Sequence, residues 1–78
     1  MEQERNTWTV ESARALGTAI RTFREERQLT QDELAAALGT TRQRLARIEE
    51  GKPSGQVALL FNLLRHLGVA IKLERVDA

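Results

Sequence analysis

The sequence predicts a mainly α-helical domain of four helices followed by one short β-strand, and three observations lead to that fold class. Apolar residues recur every three to four positions over most of the chain, which is the period of a helix with one buried face. Glycines at positions 39, 51 and 68 follow three of these periodic segments, where a residue that tolerates positive φ ends a helix. After position 68 the period changes to two residues, which is typical of a strand.

The first helix is predicted from the apolar spacing and is expected to run to about Arg27, with Thr9 or Ser12 as its N-cap. Trp8, in the polar lead before it, is expected to pack against the core as a plug. The residues that define its buried face are Val10, Ala13, Leu16, Ile20 and Phe23.

The second and third helices are predicted from their capping residues. Thr30 and Glu33 form a T-x-x-E capping box at the start of the second helix, in which each side chain bonds to the backbone N–H of the other. Gly39 ends that helix, and Thr41 can cap the third. The inward anchors of the two helices are Leu34, Ala35, Leu38, Leu45 and Ile48.

The fourth helix and the tail complete the domain. Ser54 is expected to cap a helix whose apolar stripe is Val57, Leu60, Phe61, Leu64 and Leu67. Val69, Ile71 and Leu73 then alternate with polar or small residues, and we expect them on the strand face that packs against helix 4. Because a strand needs a partner for its backbone groups, this one should pair with its copy in a second chain across a twofold axis, or with residues 7–10.

Composition excludes several classes of function. A chain of 78 residues makes one domain near the lower limit for an independent core. It has no cysteine and a single histidine, and no set of carboxylates converges from different elements, so we expect no enzyme, no metal site and no cofactor. The polar, acidic N-terminus does not read as a secretory signal, and no apolar run approaches a membrane span, so a cytoplasmic protein is expected.

Charge is concentrated locally although the net charge is only +1. Every charged residue from position 40 to 48 is an arginine, namely Arg42, Arg44 and Arg47. Two short helices joined by a tight glycine turn and locked by inward apolar anchors match the requirements of a helix-turn-helix. With Leu45 and Ile48 inward, the outward face of the second of these helices is basic, which suits entry into a DNA major groove.

The stretch LTQDELAAALGTTRQRLARIEEGKP, residues 29–53, strongly resembles the phage repressor/Cro type of helix-turn-helix, the XRE family. The resemblance covers about residues 16–68 and implies a four-helix repressor-like bundle that binds double-stranded DNA. Thr40 departs from the pattern, because the family usually has valine or isoleucine there, and this departure predicts a less well packed turn.

The resemblance also implies a role for each matching residue. Arg42, Gln43 and Arg47 would read base edges, since arginine suits guanine and glutamine suits adenine. Arg24 and Glu49 would form a partly buried ion pair that ties helix 1 to the end of the recognition helix. The residues that would contact the DNA backbone are Gln31, Thr41, Arg44 and Lys52.

The terminal segment LLRHLGVAIKLE also resembles the HipB-like antitoxins, which are dimeric repressors with a strand at this place. The resemblance implies a homodimer on a palindromic operator and a HipA-like kinase toxin as partner, with autoregulation of a toxin–antitoxin promoter. The domains are then a lead at 1–9, a DNA-binding domain at 10–68 and a strand and tail at 69–78. A protein-interaction adaptor of the same shape is the alternative, but an adaptor would tolerate acids on the outward face.

Overall fold

The computed structural model describes residues 7–52 and 57–75, and within them the chain forms four α-helices. These are α1 (Ala13–Glu26), α2 (Gln31–Leu38), α3 (Arg42–Glu49) and α4 (Val57–His66). The predicted number and order of helices are confirmed, while the expected Ser54 cap lies outside the described residues. None of the helices in the described ranges has the length and apolar character needed to cross a membrane.

Side-chain caps fix where the first two helices begin. The Ser12 hydroxyl accepts a hydrogen bond from the backbone N–H of Ala15 at 3.0 Å, so Ser12 rather than Thr9 is the N-cap and Val10 lies before the helix. The capping box is confirmed in both directions. The Thr30 hydroxyl accepts from the N–H of Glu33 at 3.0 Å, and the Glu33 carboxylate accepts from the N–H of Thr30 at 2.9 Å.

The core lies where all four helices meet. Each helix contributes one large side chain that is wholly buried: Ile20, Leu34, Leu45 and Leu63. α3 packs against both α1 and α2, and α2 also packs against α4. Fully burying a side chain of this size contributes roughly 1.5–3 kcal/mol, so these four residues hold the helices in one arrangement.

The predicted stripe of α4 is only partly correct. Leu64 and Leu67 are buried, but Val57 and Phe61 are 64% and 46% exposed. Leu63, which the stripe left out, is completely buried. A helix with a broad apolar surface can pack against a core in more than one rotation. Here α4 is rotated so that Val57 and Phe61 lie outside the core.

The tail does not form the predicted strand, since no strand is present among residues 69–75. Val69 is half-buried, and its N–H donates to the carbonyl of Leu64 at 2.8 Å. Ile71 is 41% exposed and Leu73 is 96% exposed, so the expectation that Leu73 packs against α4 is wrong for the single chain. Alternation predicts an extended backbone, but a strand also requires a neighbouring edge to bond with.

The plug role of Trp8 is confirmed. Its ring lies against Phe23, with ring centroids 5.6 Å apart and planes tilted by 56°, a geometry that aromatic pairs favour. Trp8 remains 45% exposed, so it covers the edge of the core. Together with the tail it borders a groove of about 400 Å³ whose floor includes Leu16, Ile20 and Leu64.

Gly17 allows the end of α3 to approach α1 closely. A Cβ at this position would lie 2.5 Å from the carbonyl oxygens of both Ile48 and Glu49. Backbone atoms at the end of α3 cannot move aside as a flexible side chain can, so α3 docks on α1 only because residue 17 has no side chain.

We therefore expect Gly17→Ala to destabilise the protein by about 1–3 kcal/mol through overpacking, although alanine in an isolated helix is favoured over glycine by about 1 kcal/mol. Urea denaturation followed by circular dichroism measures the change. Thr18→Ala, at the next and exposed position, is the control and should be neutral or slightly stabilising. An unchanged or higher stability for Gly17→Ala would contradict this account of the α1–α3 contact.

The turn residue Thr40 carries a buried hydroxyl that has no hydrogen-bond partner within the described residues. The adjacent Thr41 hydroxyl, in contrast, caps α3 by accepting from the N–H of Arg44 at 3.1 Å.

Replacing threonine by valine should therefore have opposite effects on stability at positions 40 and 41. Thr40→Val should stabilise by about 1 kcal/mol, because an unpaired buried polar group is removed, and Thr41→Val should destabilise by about 1 kcal/mol through loss of a cap. Paired thermal and urea unfolding curves test both signs, and a destabilised Thr40→Val would mean that the hydroxyl is satisfied.

Candidate nucleic-acid interface

The outward face of α3 carries the predicted base-reading residues. Leu45 is wholly buried and Ile48 packs against the core, which sets the rotation of the helix. Arg42, Gln43 and Arg47 are consequently exposed, as predicted. Ala46 is half-buried and lies at the edge of this face.

The first turn of α3 is cationic, which is unfavourable for the isolated helix. It contains Arg42 and Arg44 and no acidic residue. α2 shows the stabilising pattern, with Asp32 and Glu33 in its first turn. Because the N-terminus of a helix carries partial positive charge, each cation there opposes the dipole by up to about 0.3–1 kcal/mol at low salt. The arrangement gains stability only when an anion approaches this end of α3.

Lys52 and Arg42 each have a weak acidic neighbour. The Lys52 ammonium lies 3.5 Å from the carboxylate of Glu50, and the Arg42 guanidinium lies 3.9 Å from that of Asp32. All four side chains are more than half exposed, and pairs of this kind contribute about 0–1 kcal/mol. Both cations can therefore exchange their present partner for a phosphate at little cost.

The predicted ion pair of Arg24 and Glu49 is confirmed and is buried, with side-chain exposures of 8% and 4%. The Arg24 Nε–H donates to Glu49 Oε2 at 2.6 Å, and Nη2–H donates to Oε1 at 3.1 Å. A further bond from Nη1–H to the carbonyl of Leu29 is 2.7 Å long. The hydrogen bond to Glu49 raises the pKa of Arg24 above its ordinary value, against the opposing effect of burial.

Gln31 belongs to the same network. Its Nε2–H donates to Glu49 Oε1 at 3.0 Å, and its side chain is half-buried. The network therefore joins three helices: Arg24 belongs to α1, Gln31 to the start of α2 and Glu49 to the end of α3. Gln31 and Arg24 also line a polar depression whose other walls are Arg21, Thr30, Asp32 and Arg42.

Sequence reasoning missed two charged residues of this region. Arg21 is exposed, and its Nε–H donates to the Glu25 carboxylate at 3.2 Å. A pair of opposite charges four positions apart on a helix indicates an ordinary surface ion pair, so Arg21 did not stand out in the sequence. Its position three residues before Arg24, on the same helix face, was the signal that it lies beside the network. Asp32, inside the T-x-x-E motif but not one of its two capping residues, lies close to Arg42.

The described residues contain no group of three His, Asp or Glu side chains placed to hold a metal ion. The chemistry that the region offers is hydrogen-bond donation and positive charge. Exposed guanidinium and amide groups recognise base edges and phosphates.

The buried pair predicts that removing one partner lowers the stability far more than replacing both. Glu49→Ala should destabilise by about 3–5 kcal/mol, because it leaves the Arg24 guanidinium buried without its partner. The double variant Arg24→Met/Glu49→Leu should lose much less, since neither charge then remains. Guanidinium denaturation of the two variants makes the comparison. A double variant as unstable as Glu49→Ala would show that packing, and not the uncompensated charge, dominates.

Residues 20–73 match the family model described as Helix-turn-helix. An HTH-type transcriptional regulator, y4mF of Sinorhizobium fredii, is 34% identical over 58 residues, which is 74% of this chain and 76% of that protein. One from Methanothermobacter thermautotrophicus is 43% identical over 65% of this chain and 74% of its own length.

Solved structures share the fold. A chain of the HipA-HipB-O2-O3 complex superposes with a TM-score of 0.79 at 21% identity and covers 91% of this chain and all of its own. The HipB-O4 20mer complex gives the same values. The clp gene regulator ClgR from C. glutamicum has a TM-score of 0.68 at 31% identity, over 80% of each chain.

Proposed function

Because this chain belongs to the XRE-type helix-turn-helix family of transcriptional regulators, we propose that it is a sequence-specific repressor that binds double-stranded DNA in the cytoplasm. The observation that carries the proposal is the cationic first turn of α3, in which Arg42 and Arg44 oppose the helix dipole. That arrangement is unfavourable without an anion and suits a helix that meets DNA with its N-terminal end.

Within that complex, Arg42, Gln43 and Arg47 read base edges in the major groove. Their exposure along one face of a helix whose other face is fixed in the core supports this role. Arginine can donate two hydrogen bonds to the N7 and O6 atoms of guanine, and glutamine can pair with the N6 and N7 atoms of adenine. An adaptor protein would have no need for this set of donors.

The DNA backbone is contacted by residues at the ends of the two helices. Gln31 lies at the start of α2, Thr41 and Arg44 lie at the start of α3, and Lys52 follows the end of α3. Such contacts set register and affinity without reading sequence. The weak acidic neighbour of Lys52 supports its release to a phosphate.

The repressor acts as a homodimer on a palindromic operator, with the tail as the seam. Within the described residues, no backbone N–H of residues 70–75 donates to another backbone group, so that edge is free to pair. Val69, Ile71 and Leu73 form the strand when the same segment of a second chain lies beside it. The 96% exposed Leu73 and the exposed Ile71 would then gain apolar contacts that the single chain lacks.

The wider role that we propose is that of an antitoxin that represses its own toxin–antitoxin promoter, with a HipA-like kinase toxin as partner. The similarity of fold to HipB in complex with HipA supports it. Co-purification of the chain with the product of the neighbouring gene tests this role separately from DNA binding, because a repressor without a toxin would still select an operator.

Base reading by Arg47 is tested on an operator selected from a random duplex library, followed by competition binding to a panel of substituted operators. Arg47→Ala should cost about 1–3 kcal/mol on the preferred sequence and relax preference at one position in each half-site. Lys52→Ala is the control, and it should weaken binding to all sequences alike. It should also reduce the magnitude of the slope of log K against log salt by about one for each Lys52 that is replaced in the complex.

A uniform loss for Arg47→Ala would remove it from the base-reading set. Failure of the wild-type chain to enrich any duplex would reject the repressor function in favour of the adaptor alternative.

The seam is tested at Leu73, because its exposure in the single chain means that a polar replacement cannot disturb the core. Leu73→Asp should leave the thermal unfolding of the helices intact but convert the dimer to a monomer in light scattering. Operator affinity should then fall by about 10²-fold or more, since the linkage of two half-sites is lost. Lys72→Ser, at the neighbouring exposed position, should remain dimeric. A dimeric Leu73→Asp variant with normal affinity would leave α4, with its exposed Val57 and Phe61, or the N-terminal segment 7–10 as the interface.

A further inference from the structure

We propose that Glu49 is a positioning residue for Gln31, fixing its amide so that an N–H group, and not the carbonyl oxygen, is presented to the DNA backbone. The proposal rests on the proposed function, in which Gln31 contacts a phosphate. It assigns Glu49 a part in DNA binding through Gln31, in addition to its ion pair with Arg24.

The chemistry of Glu49 dictates which way the amide turns. Its Oε1 atom receives hydrogen bonds from Arg24 Nη2 at 3.1 Å and from Gln31 Nε2 at 3.0 Å. A carboxylate only accepts hydrogen bonds. A reversed Gln31 amide would set its own oxygen against Oε1 and lose the bond, so Nε2 must face Glu49. The second N–H of Nε2 is then left to donate.

The position of the carboxylate is itself fixed. Glu49 Oε2 is bonded to Arg24 Nε at 2.6 Å, and Arg24 is also bonded to the carbonyl of Leu29 at 2.7 Å. Both residues of the pair are less than a tenth exposed. Gln31 is thus bonded to a buried carboxylate that Arg24 holds with two hydrogen bonds, whereas a free glutamine would lose rotamer freedom on binding.

The charge of the pair makes this arrangement compatible with DNA. An unpaired carboxylate beside the backbone would repel phosphate, but the bidentate Arg24 guanidinium neutralises Glu49. Glu49 can therefore accept from Gln31 without adding net negative charge at the surface that meets DNA.

The first test uses the wild-type protein without DNA. Side-chain ¹⁵N relaxation should show the Gln31 amide to be as ordered as the backbone, while the exposed Gln43 amide on α3 is mobile. Gln43 is the matched control because it has the same chemistry and lies in the same interface. Equal mobility of the two amides would overturn the proposal, and this result does not depend on any variant folding.

The second test is a double-mutant cycle of operator affinity, measured well below the melting temperature of each variant. Glu49→Gln and Gln31→Met should each weaken binding by about tenfold, as for the loss of one hydrogen bond to a charged group. The double variant should be weaker than Gln31→Met by clearly less than the Glu49→Gln loss, because part of that loss acts through Gln31. Glu49→Gln combined with Gln43→Met should instead give the product of the two single losses, because Gln43 does not bond to Glu49.

A methylphosphonate scan of the operator identifies the phosphate involved. At the one position where Gln31→Met no longer matters, the Glu49→Gln loss should also become smaller. Glu49→Gln losses that persist there undiminished, or that multiply with Gln31→Met, would mean that Glu49 supports α3 only structurally and would overturn the positioning role while leaving the repressor function intact. Absence of any operator for the wild-type chain would reject both.

Discussion

The buried ion pair between Arg24 and Glu49 is the constraint on which the described structure depends most. It joins the last turn of α1 to the last residue of α3, and through Leu29 and Gln31 it also reaches the loop before α2 and the start of α2. A helix of eight residues such as α3 has little stability of its own. Its orientation must come from tertiary contacts, and this pair fixes its C-terminal end.

Apolar packing and the ion pair determine the position of α3 in different ways. Leu45 and Gly17 bring the helix close to its neighbours, but apolar contacts tolerate small rotations and shifts. A bidentate guanidinium–carboxylate pair requires one distance and one orientation. Buried pairs are often no more stabilising than well-packed apolar residues. Geometric selectivity therefore explains better than stability why charges occupy this junction, since the base reading that we propose for α3 requires the helix in one position.

The local features of the fold could be predicted from the sequence, and the features that depend on context could not. The capping box at Thr30, the turn at Gly39 and the inward Leu45 follow from neighbouring residues, and all are present in the structure. The ion pair was found only through a family resemblance, because its partners are 25 positions apart. Gln28 has a φ of 59°, which no sequence signal indicated, since glycine or asparagine is the usual residue in that conformation.

The rotation of α4 and the state of the tail were predicted less well for a related reason. Both segments carry more apolar surface than the described core covers. Phe61 and Leu73 fit the expected periodicities and are still exposed. For residues of this kind, periodicity identifies the apolar side but cannot state what covers it.

The exposure of Leu73 has a consequence for how gene expression would respond to the amount of this protein. If the seam forms only between chains, then at concentrations below the dimer dissociation constant the dimer population grows with the square of the chain concentration. Promoter occupancy would then change more steeply than in proportion to synthesis. A tail of a few residues would thus set a concentration threshold below which the gene is transcribed and above which it is silenced.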